Sequence, residues 1–384
     1  MAKILIISKF YYPFQGGIEQ SVRAVAEYAC RFHDITVLAF NHLPGDVDET
    51  LNGVKIIRRH VQVTIKNQPI ALFILRGIHL NDYDLIHFHS PNPFVNGLLL
   101  VKQLFSRKTP LIVTHHMDIF GRKWLRALCL PMIRALMRNS FVTTVTSAKN
   151  ISISRDLPKD GRYAVVPLSI DPVDFDIPQE MRQTALTWRK SLSGTAHVIG
   201  FVGRHARYKG LHILIEALAL LPGVHAFIGG DGPYRQSAEN LADEIGVKDR
   251  VHFLGHLSHE TKLRVLAAID VFVFPSTEIT EAFGVSQMEA MLCGVPVVAS
   301  NLPTGVTDVA LDEKTALLAS PGDVAGLASQ INRILVNPQL AQELSQAART
   351  HILASMTHQK VGAQMVSLFE DAMRNRSAAR KDDV

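Results

Sequence analysis

The sequence predicts an α/β protein with two doubly wound domains, each built on a largely parallel sheet. Short apolar runs that suit buried strands alternate with amphipathic helical segments along the chain, as expected of repeated βαβ units. The chain has 384 residues, which is too long for a single ordinary hydrophobic core and therefore favours two domains. The alternation pauses at residues 173–195, which are rich in Pro, Asp and Ser near both ends, and restarts at the apolar strand His197–Phe201.

These patterns place the elements in chain order. The predicted strands are Lys3–Ser8, Asp34–Phe40, Val54–Arg58, Leu85–His89, Leu111–Thr114, Phe141–Thr146 and Tyr163–Val166, then His197–Phe201, Val224–Ile228, Val251–Leu254, Val271–Phe274, Val297–Ala299 and Thr315–Leu318. The predicted helices include Glu19–Arg31, Leu211–Leu220, Tyr234–Glu244, Glu260–Ala267, Val324–Val336 and Pro338–Ser355. We therefore predict a first domain at 1–172, a linker at 173–195, a second domain at 196–356 and a disordered charged tail at 376–384.

Composition narrows the class of protein. Hydrophobic residues make up 47% of the chain and charged residues 20%, which is typical of a globular protein. The three cysteines (Cys30, Cys129 and Cys293) have neither CxxC nor zinc spacing, which indicates buried thiols in a reducing compartment. The first strand is too short for a signal peptide, and no apolar stretch of about 18 residues occurs. A soluble, cytoplasmic protein is expected.

The charge is distributed unevenly. Residues 1–172 contain 21 Lys and Arg against 12 Asp and Glu, a balance of +9, whereas the rest of the chain carries −4. A basic first half favours an anionic partner, and a membrane or lipid phosphate fits better than nucleic acid because no nucleic-acid-binding motif is present. The segment Gly121–Arg138 is both basic and apolar. It suits either a helix lying on an anionic bilayer or a helix packed on the core, and the pattern leaves both open.

Two carboxylates eight positions apart, Glu281 and Glu289, are the most informative pair. Glu281 follows the strand Val271–Phe274, and Glu289 lies on the helix that comes next. In doubly wound sheets, ligands bind outside the carboxyl ends of the strands, and carboxylates there can accept hydrogen bonds from the vicinal hydroxyls of a sugar. Phe283-Gly284 between them lets the backbone approach a ligand closely. The alternative is an ordinary surface helix with acids near its positive end.

A second cluster follows the first strand of the second domain. Gly203 and Arg204 come directly after this strand, and Lys209 and Gly210 precede the next helix. Arg204 and Lys209 suit a pyrophosphate bound at that helix end, the first as a planar fork and the second as a point charge. A solvated basic surface is the alternative, and Arg207 is interpreted that way.

Two features of the first domain also suggest a ligand. Gly16 and Gly17 open the first helix and can expose backbone N–H groups to an anion, although a flexible turn is an equal alternative. The loop lacks GxGxxG, so a dinucleotide-binding fold is not supported. His115 and His116 follow the fifth strand, and no zinc spacing accompanies them. We interpret His115 as a packed or capping residue and His116 as a functional residue, which either contacts a sugar hydroxyl or stabilises developing positive charge through its ring and backbone carbonyl.

Together these segments resemble the retaining glycosyltransferases of family 4, which have the GT-B fold of two Rossmann-like domains facing each other across a cleft. The resemblance runs from Gly16-Gly17 through Val166-Pro-Leu-Ser-Ile-Asp171 to Glu281–Glu289 and Ala290–Ala299. It implies a helix at 357–375 that returns to the first domain. It also implies catalytic roles for His116, Glu281, Arg204 and Lys209, with His115 as an alternative to His116. The implied donor-binding residues are Gly16, Gly17, Gly203, Arg204, Lys209, Glu281, Ala282, Phe283, Gly284, Val285 and Glu289.

The resemblance also implies a reaction. A hexose, mannose from GDP-mannose in our interpretation, would pass from a nucleotide diphosphate sugar to a lipid-linked saccharide in surface polysaccharide or lipopolysaccharide synthesis. Configuration would be retained by same-face attack, without a metal or other cofactor. The enzyme would contact an anionic membrane peripherally, at the inner face of the plasma membrane. A GT-B nucleotide-sugar epimerase and a catalytically silent nucleotide-sugar-binding subunit are the alternatives.

Overall fold

A computed structural model describes residues 1–14, 16–65, 68–71, 73–105, 109–119 and 123–382 of the chain. Contacts between Cα atoms divide it into two compact units. Unit 1 comprises Met1–Ser169 and His358–Val384, and unit 2 comprises Ile170–Thr357. Both units have the α/β architecture that the sequence predicts. No helix in the described part of the chain combines the length and the apolar character that crossing a membrane requires.

Unit 1 is built on an eight-stranded sheet. Its strands lie in the order β10-β9-β8-β7-β1-β2-β4-β3, and every pair is parallel except β3 with β4. The order runs in opposite directions on either side of the boundary between β1 and β7, which is therefore the topological switch point. The strands are β1 (Lys3–Ile7), β2 (Asp34–Phe40), β3 (Val47–Leu51), β4 (Val54–Arg59), β5 (Val63–Ile65), β6 (Gln68–Ile70), β7 (Leu85–Ser90), β8 (Leu111–His115), β9 (Val142–Val145) and β10 (Tyr163–Val165), of which β5 and β6 form a separate hairpin.

Helices cover both faces of the central part of this sheet, so its central strands are apolar on both sides. In β1, Ile4 and Ile6 join one hydrophobic cluster and Leu5 and Ile7 the other, because successive side chains of a strand point to opposite faces. The helices of unit 1 are α1 (Gly17–Ala29), α2 (Pro93–Phe105), α3 (Lys123–Arg138), α4 (Ala148–Ile153) and α13 (His358–Asp382).

Unit 2 contains a six-stranded parallel sheet in the order β13-β12-β11-β14-β15-β16. Its switch point lies between β11 and β14. All six strands predicted for the second domain are present, with ends shifted by at most two residues. The strands are β11 (Val198–Val202), β12 (His225–Gly229), β13 (Val251–Gly255), β14 (Val271–Phe274), β15 (Val297–Ser300) and β16 (Leu317–Ala319), and the helices are α5 (Gln179–Ser193), α6 (Leu211–Ala219), α7 (Arg235–Glu244), α8 (His259–Ala268), α9 (Val285–Leu292), α10 (Val306–Val309), α11 (Val324–Leu335) and α12 (Pro338–Ser355).

The segment interpreted as a linker, 173–195, is structured. It contains α5, which packs against α8 within unit 2. Arg189 on α5 donates hydrogen bonds to both carboxylate oxygens of Asp270, at 2.8 and 2.7 Å, and Ala185 is completely buried. The linker prediction was wrong here because a mostly polar helix was mistaken for a connection.

The structure of the segment predicted to be a disordered tail, 376–384, also differs from that prediction. The last helix, α13, continues to Asp382, and residues 383–384 lie outside the described part. This helix belongs to unit 1 and packs on α1, where a Cβ added at Gly362 would lie 2.4 Å from the Tyr28 ring. Glycine at 362 therefore permits the close approach of the two helices.

The basic segment Gly121–Arg138 is partly outside the described residues, since 121–122 are not described. The described part forms α3, which buries Ile133 and Leu136 in a core of unit 1. Arg126 and Arg138 donate hydrogen bonds to Asp156 and Asp160, both at 2.9 Å. These contacts agree with the interpretation of a helix packed on the core.

Candidate active site

The carboxyl ends of β11 and β14 lie side by side at the switch point of unit 2. The two strands are hydrogen-bonded neighbours, with Ile199 opposite Val271 and Gly200 opposite Phe272. The loops that follow, 203–210 and 275–284, carry most of the residues predicted to bind a ligand. Because the connections that leave the two neighbouring strands turn in opposite directions at a switch point, a crevice for a ligand is expected there.

Hydrogen bonds join these two loops directly. Thr277 donates to the Tyr208 carbonyl through its backbone N–H, at 2.7 Å, and through its hydroxyl, at 3.2 Å. Gly210 has a φ of +75°, and a Cβ added there would lie 1.9 Å from the Pro275 carbonyl oxygen. Only glycine fits this left-handed, crowded position. The contact holds both loops in one arrangement.

Lys209 and Glu281, predicted from separate motifs, form an ion pair across these loops. Both side chains are largely buried, and the Ser276 hydroxyl donates to Glu281 Oε2 at 3.0 Å. The Lys209 ammonium also lies 5.4 Å from the centre of the Phe274 ring. An ammonium has three N–H donors, so this pairing leaves Lys209 able to donate to a ligand as well.

Arg204 differs from Lys209 in having no ion-pair partner within the described ranges. Its side chain is exposed, and the loop that carries it is fixed by the neighbouring Gly203, whose N–H donates to the Gly229 carbonyl at 3.1 Å. The guanidinium is thus an unneutralised cation on a fixed backbone. Such a group suits bidentate binding of a phosphate.

The loop before α9 is held from its far side. The Thr304 hydroxyl donates to the Glu281 carbonyl at 2.8 Å, and the Gly305 N–H donates to the Ala282 carbonyl at 3.0 Å. Gly284 has a φ of +85° and caps α9, whose first residue is Val285. In the described structure, the N–H groups of Ala282, Phe283 and Gly284 have no acceptor. They form a set of free donors where a helix begins, which favours a negatively charged or hydroxyl-rich ligand.

Glu289 is nearly buried in the second turn of α9 and forms an ion pair that the sequence did not reveal. Its Oε1 lies 2.6 Å from the Lys262 ammonium, which comes from α8 and lies 5.3 Å from the centre of the Phe175 ring. Burial, with the neighbouring Glu289 carboxylate, raises the pKa of the Cys293 thiol to about 12. Since Lys209 pairs with Glu281 and Lys262 pairs with Glu289, each glutamate of the predicted site is held by a lysine.

In unit 1, Gly16 and Gly17 lie where predicted, at the start of α1. Glu19 in the first turn is buried, and a Cβ at Gly16 would lie 2.2 Å from its carboxylate. Burial raises the pKa of Glu19, and the Lys9 ammonium opposes this effect. The sequence analysis did not single out Glu19, although this acid lies only two residues after the glycine pair.

His115 ends β8 and His116 follows it. The His116 N–H donates to the Ser90 carbonyl at 3.0 Å, which continues the ladder between β7 and β8. Both side chains are buried. Burial lowers the pKa of His116 to about 3, with a smaller effect of His115. His116 is therefore a neutral imidazole at physiological pH.

His115 belongs to a cluster with Asp118 and Asp156, whose possible ligand atoms lie within 4.8 Å of one another. The carboxylates already accept hydrogen bonds: Asp156 accepts from the Ile119 N–H at 2.6 Å, and Asp118 from the Arg155 N–H at 2.7 Å. Burial acts to raise the pKa of Asp118, but hydrogen bonds from His115, Ser154 and Arg155 lower it to about 2. The cluster anchors the loop after β8, and its oxygens are engaged by protein donors.

Comparison with known proteins agrees with this geometry. Residues 15–174 match the family model described as Glycosyltransferase Family 4, and residues 183–351 match that of Glycosyl transferases group 1. The chain belongs to the family 4, or group 1, glycosyltransferases that these two models describe. It is 26% identical to the O-antigen chain mannosyltransferase C of Escherichia coli, over 98% of this chain and 100% of that protein. It is 25% identical to the GDP-mannose-dependent alpha-(1-6)-phosphatidylinositol monomannoside mannosyltransferase of Mycolicibacterium smegmatis, over 98% and 100%.

The fold is likewise that of the family. The sucrose-phosphate synthase structure from Thermosynechococcus elongatus superposes with a TM-score of 0.79 at 23% identity, over 98% of this chain and 100% of that one. The prediction of two Rossmann-like GT-B domains is confirmed, as is the family. The protein is thus a glycosyltransferase, and the roles of its individual residues stay predictions.

Proposed function

We propose that this glycosyltransferase moves mannose from GDP-mannose to a lipid-linked saccharide acceptor in the synthesis of a surface polysaccharide such as lipopolysaccharide. The supporting observation is the cluster at the switch point of unit 2. There, Arg204 and Lys209 lie on one loop, Glu281 on its bonded neighbour and Glu289 on the helix that follows. This combination offers cations to a diphosphate and carboxylates to sugar hydroxyls.

The proposed roles follow from this chemistry. The leaving diphosphate gains negative charge in the transition state, and Arg204 and Lys209 stabilise it. Glu289 accepts hydrogen bonds from the ribose hydroxyls, and Glu281 accepts them from the transferred sugar. The free N–H groups at Ala282, Phe283 and Gly284 donate to the same ligand.

The remaining parts of the proposal concern unit 1 and the stereochemistry. His116 contacts the transferred sugar, and Gly16 and Gly17 donate backbone N–H groups to the donor. Both glutamates are paired with lysines and assigned to hydroxyl binding. Neither is therefore assigned as a covalent nucleophile, and the proposed reaction is a same-face attack with retention. The acceptor oxygen bonds to the anomeric carbon as the bond to the diphosphate breaks, the acceptor proton passes to the departing phosphate, and Arg204 and Lys209 supply the positive charge at the leaving group.

The choice of mannose and GDP draws on the relatives rather than on a residue. The Escherichia coli relative is named as an O-antigen mannosyltransferase, and the Mycolicibacterium relative as GDP-mannose-dependent. Both align with nearly the whole chain at about one quarter identity.

A donor panel tests this proposal. We expect GDP-mannose to raise the melting temperature more than UDP-, ADP- or dTDP-sugars, because a ligand that binds only the folded state stabilises it. Release of GDP should then require a saccharide acceptor. A larger shift with UDP-glucose would contradict the donor assignment. Conversion of the sugar nucleotide without acceptor would favour an epimerase, and binding without turnover on any acceptor would favour a silent binding subunit.

Peripheral contact with an anionic membrane is the second part of the proposal. It draws on the +9 balance of residues 1–172, although three arginines of α3 are bonded within unit 1. We expect the protein to co-sediment with vesicles containing anionic lipid, and to be released as the salt concentration rises, because salt screens exposed charges. Equal binding to neutral and anionic vesicles would contradict the proposal.

A further inference from the structure

The ends of β7 and β8 carry a row of buried histidines that the proposed function leaves mostly unexplained. His87, His89 and His116 are exposed by only 1, 4 and 5%. The His87 and His89 rings lie 4.3 Å apart, and the His89 and His116 rings are stacked at 5.1 Å. His89 Nδ1 lies 2.8 Å from His116 Nε2, which is a hydrogen bond between two imidazoles. His89 is thus the direct partner of the histidine predicted to contact the sugar.

These rings are neutral at physiological pH. Burial lowers the pKa of His87 and of His116 to about 3, and burial with the adjacent histidines lowers that of His89 well below its usual value. A neutral imidazole carries one proton, so one nitrogen donates and the other accepts. In the bond between His89 and His116, one ring must therefore be the donor and the other the acceptor.

The surroundings favour His89 as the donor. His89 Nε2 is buried and has no partner among the described residues. If His116 donated, that nitrogen would carry a buried proton without an acceptor, and orphaned buried N–H groups are rarer than orphaned acceptors. If His89 donates from Nδ1, its Nε2 is only an unfilled acceptor. The proton of His116 then lies on Nδ1, which is not among the buried unpartnered nitrogens.

We propose that His89 is a positioning residue that holds His116 in the Nδ1–H tautomer, so that His116 presents a hydrogen-bond donor to an oxygen of the transferred sugar. This inference rests on the proposed function of His116. It makes the imidazole a neutral donor and not a general base. His87 Nε2 lies 2.7 Å from the Thr114 hydroxyl, which in turn lies 2.6 Å from the Thr144 hydroxyl, so His87 has a partner of its own and His89 is left to pair with His116.

The kinetic test compares substitutions at matched buried positions of β7. His89→Phe keeps an aromatic ring but removes the donor, whereas His89→Asn retains an amide that can donate near the position of Nδ1. We expect His89→Phe to lower kcat about tenfold to a hundredfold, as loss of a residue that orients an active group does, with KM for the donor little changed. His89→Asn should restore most of kcat. His87→Phe is the matched control, because His87 is hydrogen-bonded to Thr114 and not to His116. If this variant folds, it should keep its activity.

A tautomer measurement makes the inference independent of turnover. In the full chain labelled with ¹⁵N-histidine, the imidazole spectra should show His89 and His116 both protonated at Nδ1, with His116 changing tautomer in folded His89→Phe. Finding His116 protonated at Nε2 in the wild-type protein would overturn the inference, as would loss of activity in His89→Phe with an unchanged His116 tautomer. A protein that transfers no sugar but shows both Nδ1–H tautomers would refute the proposed function and support the tautomer assignment.

Discussion

Replacement of Arg204 or Lys209 with alanine is expected to lower kcat by about 100- to 1000-fold, the usual effect of removing one group that stabilises developing negative charge. The two side chains occupy the loop after β11, where Arg204 has no ion-pair partner within the described ranges and Lys209 contacts Glu281. If they stabilise the departing diphosphate, the loss should appear mainly in kcat. Steady-state kinetics with GDP-mannose and a saccharide acceptor measures it.

The two variants should differ in stability, which separates a catalytic effect from a folding effect. The Arg204 side chain is exposed, so Arg204→Ala should leave the melting temperature unchanged. Lys209→Ala leaves the largely buried Glu281 carboxylate without its cation, which we expect to cost up to about 3 kcal/mol in the free energy of unfolding. Thermal unfolding of both proteins without ligand gives this comparison.

Arg207→Ala is the matched control, because Arg207 is an exposed arginine in the same loop. It should change the net charge equally and leave kcat unaltered. Turnover of Arg204→Ala equal to that of wild type would refute the diphosphate role. An equal loss in Arg204→Ala and Arg207→Ala would show that only the general positive potential matters.

The cluster at the switch point of unit 2 could be predicted because the local sequence pattern there also determines how the strands are arranged in the sheet. Apolar strands followed by glycine loops and helices predict parallel βαβ units, and parallel strands bring their carboxyl ends to one edge. Gly210 and Gly284, both with positive φ, mark the turns that bring Lys209 and Glu281 together. Distant positions in sequence thus become neighbours through a repeated local pattern.

Other features depend on tertiary packing that no local pattern encodes. Lys262 precedes Glu289 by 27 residues and reaches it because α8 and α9 lie close to the same 3-10 turn, Pro172–Phe175. The sequence places His89 at the end of an apolar strand, and only the structure shows that its buried ring is hydrogen-bonded to His116. Helix α5 was missed because few of its residues are apolar, and its contact with Asp270 stabilises it.

The charges of the site suggest how it changes when a donor binds. Glu281 pairs with Lys209 and Glu289 with Lys262, so these four groups are neutral together. In the proposed arrangement, Arg204 supplies the excess positive charge for an incoming diphosphate. The lysines also hold each carboxylate in place, which would reduce the entropy lost on binding if the carboxylates accept hydrogen bonds from sugar hydroxyls as proposed.

The two glutamates should therefore have separable effects on binding. Glu289→Gln is expected to weaken binding of both GDP and GDP-mannose by about 10- to 100-fold, since hydrogen bonds to a charged group contribute about 1.5–3 kcal/mol. Glu281→Gln should weaken GDP-mannose similarly but leave GDP nearly unchanged, because its proposed partner is the sugar. Isothermal titration calorimetry with each ligand measures both dissociation constants.

Glu278→Gln serves as the control for this pair. Glu278 is an exposed acid in the same loop, and its carbonyl accepts a hydrogen bond from the Glu281 N–H at 3.0 Å, so the substitution removes a nearby charge while leaving that backbone contact. Its affinity for both ligands should match that of wild type. If Glu281→Gln weakened GDP as much as GDP-mannose, Glu281 would bind the nucleotide and not the sugar. If Glu289→Gln left GDP binding intact, the ribose would have to be held by another group, and the role proposed for Glu289 would be refuted.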